Sequence, residues 1–225
     1  ISRERIGQEW RRLLAAPAAG RGLRVLSELE LLGFVLPSSE RTGTVVTNEA
    51  VMRAAAALHR AQDESFVVKT ALVLTGLGHT DDDKHWLKQL VYPKHIARPV
   101  LHITRSLRAF DPEAVQDDAS LRRFLHSLGR SHIDAFFSAW TAWQPTNRAR
   151  LLKERASRIV DRGDALAASE LAVNGHDVQA TLPGARGPAV GADAAKKSSR
   201  ASNAVPPPTA APDTSTVKLT ASQTS

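Results

Sequence analysis

His79, Asp81, Asp82, Asp83 and His85 bring imidazole and carboxylate together within seven residues, the ligand chemistry of zinc or manganese. Their spacing matches no known ligand set, and consecutive aspartates at a helix start also suit the positive end of its dipole. Capping is the expected role, with no metal. Arginine offers a second chemistry. Arg3, Arg5, Arg11 and Arg12 cluster near the start of the chain, and Arg148, Arg150, Lys153, Arg155 and Arg158 recur in Thr146–Val160. Basic helix faces neutralise phosphates and release their counterions. The plainer alternative is a solvated face, with a Glu9–Arg12 pair at i, i+3 and with Glu154 and Asp161 diluting the second cluster. Trp10, Trp86, Trp140 and Trp143 offer rings on which bases stack. Trp10 and Trp140 fall on apolar stripes and are expected in the core, whereas Trp86 and Trp143 stay open. Asn174, Gly175 and Asp177 form a turn-and-cap group, because Asn-Gly tolerates positive φ and Asp177 can accept from nearby backbone N–H groups. No catalytic residue emerges from these sets.

The elements that carry them read as helices. In Ser2–Ala15, Ser2 is an N-cap, Glu4 a first-turn acid, and Ile6, Trp10, Leu13 and Leu14 recur at helical spacing, with the arginines mostly off that stripe. Pro17 ends it. Arg21–Leu32 follows, with Leu23, Leu26, Leu29 and Leu32 facing inward and Gly33 expected just past the helix end. Further helices are expected over Thr47–Ala61, Glu64–Gly76, Asp81–Leu90, Lys94–Phe110, Ser120–Leu128 (capped by Gly129), Ser131–Trp143 and Thr146–Val160. In the last of these Leu151, Leu152, Ala156, Ile159 and Val160 lie on one side and the basic residues on the other. No alternating run is long enough for a sheet, so the fold class is all-α, an irregular helical array.

Composition bounds the rest. The chain has 225 residues, 42% hydrophobic and 24% charged, ordinary for a globular protein, and no cysteine. Disulfide frameworks and cysteine zinc sites are thereby excluded. No apolar run approaches about 18 residues, so no membrane-spanning helix is expected. The opening ISRERIGQEW has neither an initiator Met nor a signal-peptide core, so a cytoplasmic piece of a longer chain is the expectation. Formal net charge is +7, which favours acidic partners. Of this, +3 lies from Gly184 onward, leaving the body only moderately basic. Beyond Gly191 the chain is rich in Ala, Ser, Thr and Pro, and disorder is expected there.

Two segments carry a more specific pattern. Glu170–Gly191 runs ELAVNGHDV and closes on GARGPAVG, with Gly184, Gly187, Pro188 and Gly191. It resembles the "DLxxNGxDL…GxxPGPxxG" signature near the C-terminus of bacterial class II tRNA nucleotidyltransferases, the CCA-adding and poly(A)-polymerase-like family. At the other end, Ser2, Glu4-Arg5-Ile6, Glu9, Leu13-Leu14, Pro17, Gly22-Leu23, Leu26, Leu31-Leu32 and Pro37 resemble that family's neck region. Gly33 falls one place after its usual glycine. Between them, the order of an LRRFL segment, an aromatic-rich helix and a long charged helix is also similar to the family's. Where relatives carry a phosphohydrolase "LLHDxGK" motif, this chain has Leu74-Thr75-Gly76-Leu77-Gly78, and that activity is not expected. The family's closing amphipathic helix has no counterpart after Gly191.

The resemblance spans roughly residues 1–191. It implies neck helices over 1–37, a helical body over 38–163, a tail motif over 164–191 and a disordered tail over 192–225. It further implies a tRNA-binding region positioned for an N-terminal catalytic head of the same parent chain. That head would add CCA from CTP and ATP with magnesium. No Gly-Ser followed by Asp-x-Asp is present, so the chain itself is expected to be catalytically silent, without cofactor. Expected RNA contacts are Arg3, Arg5, Arg11, Arg12, Arg148, Arg150, Lys153 and Arg155. A helical protein-interaction scaffold derived from the same family is the alternative.

Overall fold

The computed structural model describes residues 2–36, 46–77, 83–167 and 170, all within one compact unit, Ile1–Glu170. Asn174, Gly175, Asp177 and everything from residue 171 onward lie outside the described residues, as do His79, Asp81 and Asp82. The described elements are α1 (Arg3–Ala15), α2 (Ala19–Glu28), α3 (Leu32–Val35), α4 (Asn48–Arg60), α5 (Phe66–Leu77), α6 (Asp83–Gln89), α7 (Lys94–Ala109), α8 (Asp118–Leu128), α9 (Ile133–Trp143) and α10 (Asn147–Asp161). Short 3-10 turns precede α8 and α9. Among the described residues there is no strand, and the all-α expectation holds. None of these helices is long and apolar enough to cross a membrane.

Local chemistry fixes four of the helix starts. Ser2, Thr47 and Thr146 each accept from the backbone N–H three residues on, and Asp117 with Ser120 forms a reciprocal capping box. α5 is the central element. Every residue from Val68 to Leu74 is buried, so it lacks a polar face and must be surrounded. On one side Val73, Leu74 and Leu77 join Trp10, Leu14, Leu23, Trp86 and Leu87. On the other, Val68, Ala71 and Leu72 join Phe136, Phe137, Trp140, Leu152 and Ile159. Phe110, Phe124 and Phe136 pack as tilted and edge-on rings in this second cluster, 4.5–5.2 Å between centroids. Trp86, left open by the sequence, is buried and donates from Nε1 to the Val35 carbonyl at 2.6 Å.

Four expectations need correction. α2 ends at Glu28, not at Leu32, and Gly33 lies inside α3. Its terminus is a Schellman motif in which Glu30 takes φ 55°, Leu31 N–H reaches the Leu26 carbonyl and Glu30 N–H the Ser27 carbonyl. Leu29, six residues after the buried Leu23 and so about 240° round the helix from it, falls off the inward face and is 61% exposed. Leu151 is likewise 54% exposed, because it sits beyond the edge of the buried stripe Ala149, Leu152, Ala156 and Ile159. Asp83 stands in the first turn of α6, where the helix dipole favours its charge as expected, and it is also buried. It is 2% exposed and bonds Arg108 of α7 at 2.6 Å, which supplies the charge that makes its burial possible.

A second Schellman motif ends α6, with Val91 at φ 58° and Tyr92 N–H on the Leu87 carbonyl. A β-branched residue crowds its own backbone there, at a cost of roughly 1–2 kcal/mol. Val91 is largely exposed and has little packing to lose. Val91→Gly is expected to raise stability by about 1 kcal/mol, after the entropy of the more flexible unfolded chain is offset. Thermal denaturation checks this, and a lowered midpoint would show that the Val91 side chain stabilises the turn.

A further set of contacts joins distant elements. Lys69, only 3% exposed, donates to the Leu14 carbonyl at 3.0 Å, and Arg60 to the Ala142 carbonyl at 2.6 Å. Arg108 reaches the Leu74 carbonyl, His102 Nε2 the Leu128 carbonyl at 2.7 Å, and Arg3 the Phe34 carbonyl at 3.0 Å. All these acceptors, with Val35 above, lie in the last turn of a helix, where carbonyls lack an intrahelical partner and the dipole favours a donor or cation.

Candidate nucleic-acid interface

The four arginines of α1 do not share one face. At about 100° per residue, Arg5 and Arg12 project together from the outer side, while Arg3 follows the buried stripe and Arg11 flanks it. Arg3 is committed to the Phe34 carbonyl. Arg11 lies 5.5 Å from the Phe66 ring centroid and 5.4 Å from that of Tyr92, a double cation–π contact. Tyr92 in turn donates to the Gly7 carbonyl at 2.7 Å, and burial pushes its phenol up to about 12 against the opposing pull of Arg11. Arg12 pairs with Glu9 at 2.7 Å in full solvent. Arg5 makes no hydrogen bond or ion pair with a described residue beyond its own helix backbone. Of the four, Arg5 and Arg12 present guanidinium groups outward.

The basic residues of α10 split as well. Arg148, Arg155 and Arg158 lie on one flank, Arg150 and Lys153 on the other, and Glu154 and Asp161 occupy the face between. The first flank is largely engaged within the protein. Arg148 donates to the Pro112 carbonyl at 2.7 Å and approaches Glu113 at 3.4 Å. Arg155 holds Asp118 at 3.0 Å, Arg162 bridges Asp118 and Asp164, and Arg122 completes the chain on Asp164. The hydrogen bond from Arg155 holds the Asp118 carboxyl below its ordinary value, and those from Arg162 and Arg122 do the same for Asp164. The network joins α10 to the start of α8. Arg150, Lys153 and Arg158 make no ion pair with a described residue.

Two arginines missed by the sequence reading are better placed. Arg21 and Arg24 of α2 line a cleft against α4 together with His59, with no carboxylate among its lining residues. Their i, i+3 spacing beside Gly20 was the available signal, but it gains meaning only when α4 is known to cross there.

A different surface lies on the far side of α1. Ile6, Trp10, Leu13, Leu26, Leu31 and Val35 line an apolar groove of about 520 Å³. Val25, Leu29, Leu31 and Phe34 are all exposed beside or near it in the sequence. Trp10 Nε1 is buried there without a hydrogen-bond partner among the described residues.

No group of three or more His, Asp or Glu side chains converges among the described residues as metal ligands do.

Residues 1–41 match the family model described as "Probable RNA and SrmB- binding site of polymerase A". The match covers α1–α3 and supports a relationship of this segment to the polymerase A family, with RNA as its partner. No curated protein matches the chain, and no solved structure does.

Proposed function

We propose that this chain is the RNA-gripping portion of a CCA-adding tRNA nucleotidyltransferase, positioning tRNA for a catalytic head elsewhere in the same parent chain. The observation that carries the reading is the match of residues 1–41 to an RNA-binding segment of polymerase A. The tail signature Glu170–Gly191 and the outward Arg5 and Arg12 are consistent with it. In this reading the described residues bind and orient RNA through its phosphates. Nucleotides and magnesium belong to the head, and cytoplasmic tRNA maturation is the setting.

The apolar groove on α1–α3 favours a second reading, a helical scaffold whose partner is a protein. Its lining of Ile6, Trp10, Leu13, Leu26, Leu31 and Val35 suits apolar burial better than phosphate. Within the first reading the same surface would receive the head.

The two are separated by binding of a labelled tRNA transcript, measured by anisotropy at low and physiological salt beside a single-stranded RNA of equal length. Saturable binding that weakens steeply with salt, with tRNA preferred at least about tenfold, is the expected result. Equal affinity for both RNAs would reduce the function to general RNA binding. Absence of binding at low salt would sink the RNA role and leave the scaffold.

A further inference from the structure

α2 and α4 cross at very short range. A Cβ on Gly20 would overlap the carbonyl oxygen of Ala55, so the two backbones touch where only glycine fits. Beside this crossing the helices diverge into a cleft of about 270 Å³, floored by Ala55 and Ala56. Arg21 and Arg24 form one wall, and His59 of α4 closes the other. All three side chains are exposed, and none makes a hydrogen bond or ion pair with a described residue. Glu28 lies one turn beyond Arg24 yet forms no ion pair with it.

The electrostatics of this cleft are unrelieved. Arg21 stands in the first turn of α2, at the positive end of its dipole, and that turn holds no acidic residue. Ala18 at the N-cap has no side chain to accept from the helix. Arg21 and Arg24 are neighbours of like charge, which by itself is mildly destabilising. The arginines on α1 and α10 differ, since most are neutralised by a carboxylate or placed against a carbonyl or a ring. Unpaired cations around a concave, low-dielectric surface focus positive potential into it.

We infer that the α2–α4 cleft binds a backbone phosphate of RNA, held by Arg21 and Arg24 with His59 at its edge. The inference rests on the RNA-binding reading above and assigns it a location outside the basic faces of α1 and α10. Guanidinium groups suit this role because their planar donors engage two phosphate oxygens together. The small floor residues let the phosphate approach the helix end.

The test compares the intact protein with Arg21→Gln/Arg24→Gln, with Ala56→Glu, and with Lys94→Gln/Arg98→Gln, which removes the same charge from exposed positions of α7. Binding of the labelled tRNA transcript is followed by anisotropy across a salt series, with unchanged thermal midpoints confirming the fold. Both cleft variants are expected to bind about tenfold more weakly near physiological salt. The slope of log affinity against log salt should become shallower by about 0.7–0.9 for the phosphate lost in the arginine variant. The α7 pair should leave both quantities near the parent values. Parent-like binding by the cleft variants, or an equal loss in the α7 pair, would overturn the assignment while leaving RNA binding intact. If the parent protein itself binds no RNA at low salt, the assignment falls together with the reading beneath it.

Discussion

Arg108→Ala is expected to lower the free energy of unfolding by about 3 kcal/mol, the cost of removing a charged partner from a buried carboxylate. Asp83 is almost fully buried, and its Oδ2 lies 2.6 Å from Arg108 Nη1. The other arm of the same guanidinium reaches the Leu74 carbonyl in the last turn of α5. One side chain thus serves α5, α6 and α7 together. Against a total stability of about 5–15 kcal/mol, its loss removes a large part of what holds the unit folded. Urea denaturation followed by circular dichroism reads the effect. Arg108→Met with Asp83→Leu supplies the control, because apolar replacement of a whole buried pair is often neutral or better. Recovery in the double variant would locate the cost in the lost Arg108–Asp83 ion pair. A single-variant loss under about 1 kcal/mol would show that solvent or another group takes over from Arg108.

Gly20→Ala is the second substitution expected to act strongly, and its sign runs against helix propensity. In an open helix the change would stabilise by about 1 kcal/mol. Here the new methyl group meets the backbone oxygen of Ala55, which cannot rotate aside as a side chain could. α2 must move off α4, loosening Ala19, Leu23 and Ala55 in the shared core. Overpacking costs about 1–3 kcal/mol and occasionally more, and rigid backbone on both sides places this case at the upper end. A net loss of about 2 kcal/mol in urea denaturation is expected. Gly33→Ala is the matched comparison, since nothing lies within 4 Å of its Cβ position, and it should be neutral or slightly stabilising. A gain at both positions would mean that the α2–α4 crossing is wider than described.

The contrast between these glycines shows what the sequence makes legible. Apolar spacing locates α1, α4, α7, α9 and α10 because each buries a stripe that repeats with the helix, and the caps at Ser2, Thr47 and Thr146 act within three residues of themselves. What depends on another element is hidden. Gly33 resembles a helix stop in sequence, yet Glu30 makes the left-handed turn and the conformationally free residue is spent inside α3. Gly20 gives no local sign that α4 will press against it. Arg108 stands 25 residues from Asp83, so the spacing that marks a helix start gives no sign of this buried ion pair. The ion pairs of the basic face of α10 are hidden for the same reason. Arg148 and Arg155 look available until the start of α8 brings Asp118, and the turn before it brings Glu113.

The donors that reach helix-terminal carbonyls bear on how the molecule opens. The last turn of a helix is where fraying usually begins, because its carbonyls can exchange partners with water at little cost. In α1, α5, α8 and α9 that turn is tied to a side chain 26 to 82 residues distant in sequence. A terminus held in this way cannot unwind unless its remote donor also lets go. Local opening is thereby coupled to separation of whole helices, and the C-terminal turns should exchange their amide protons with the core rather than ahead of it. The unit then behaves as a single cooperative body whose ends are as slow to loosen as its middle.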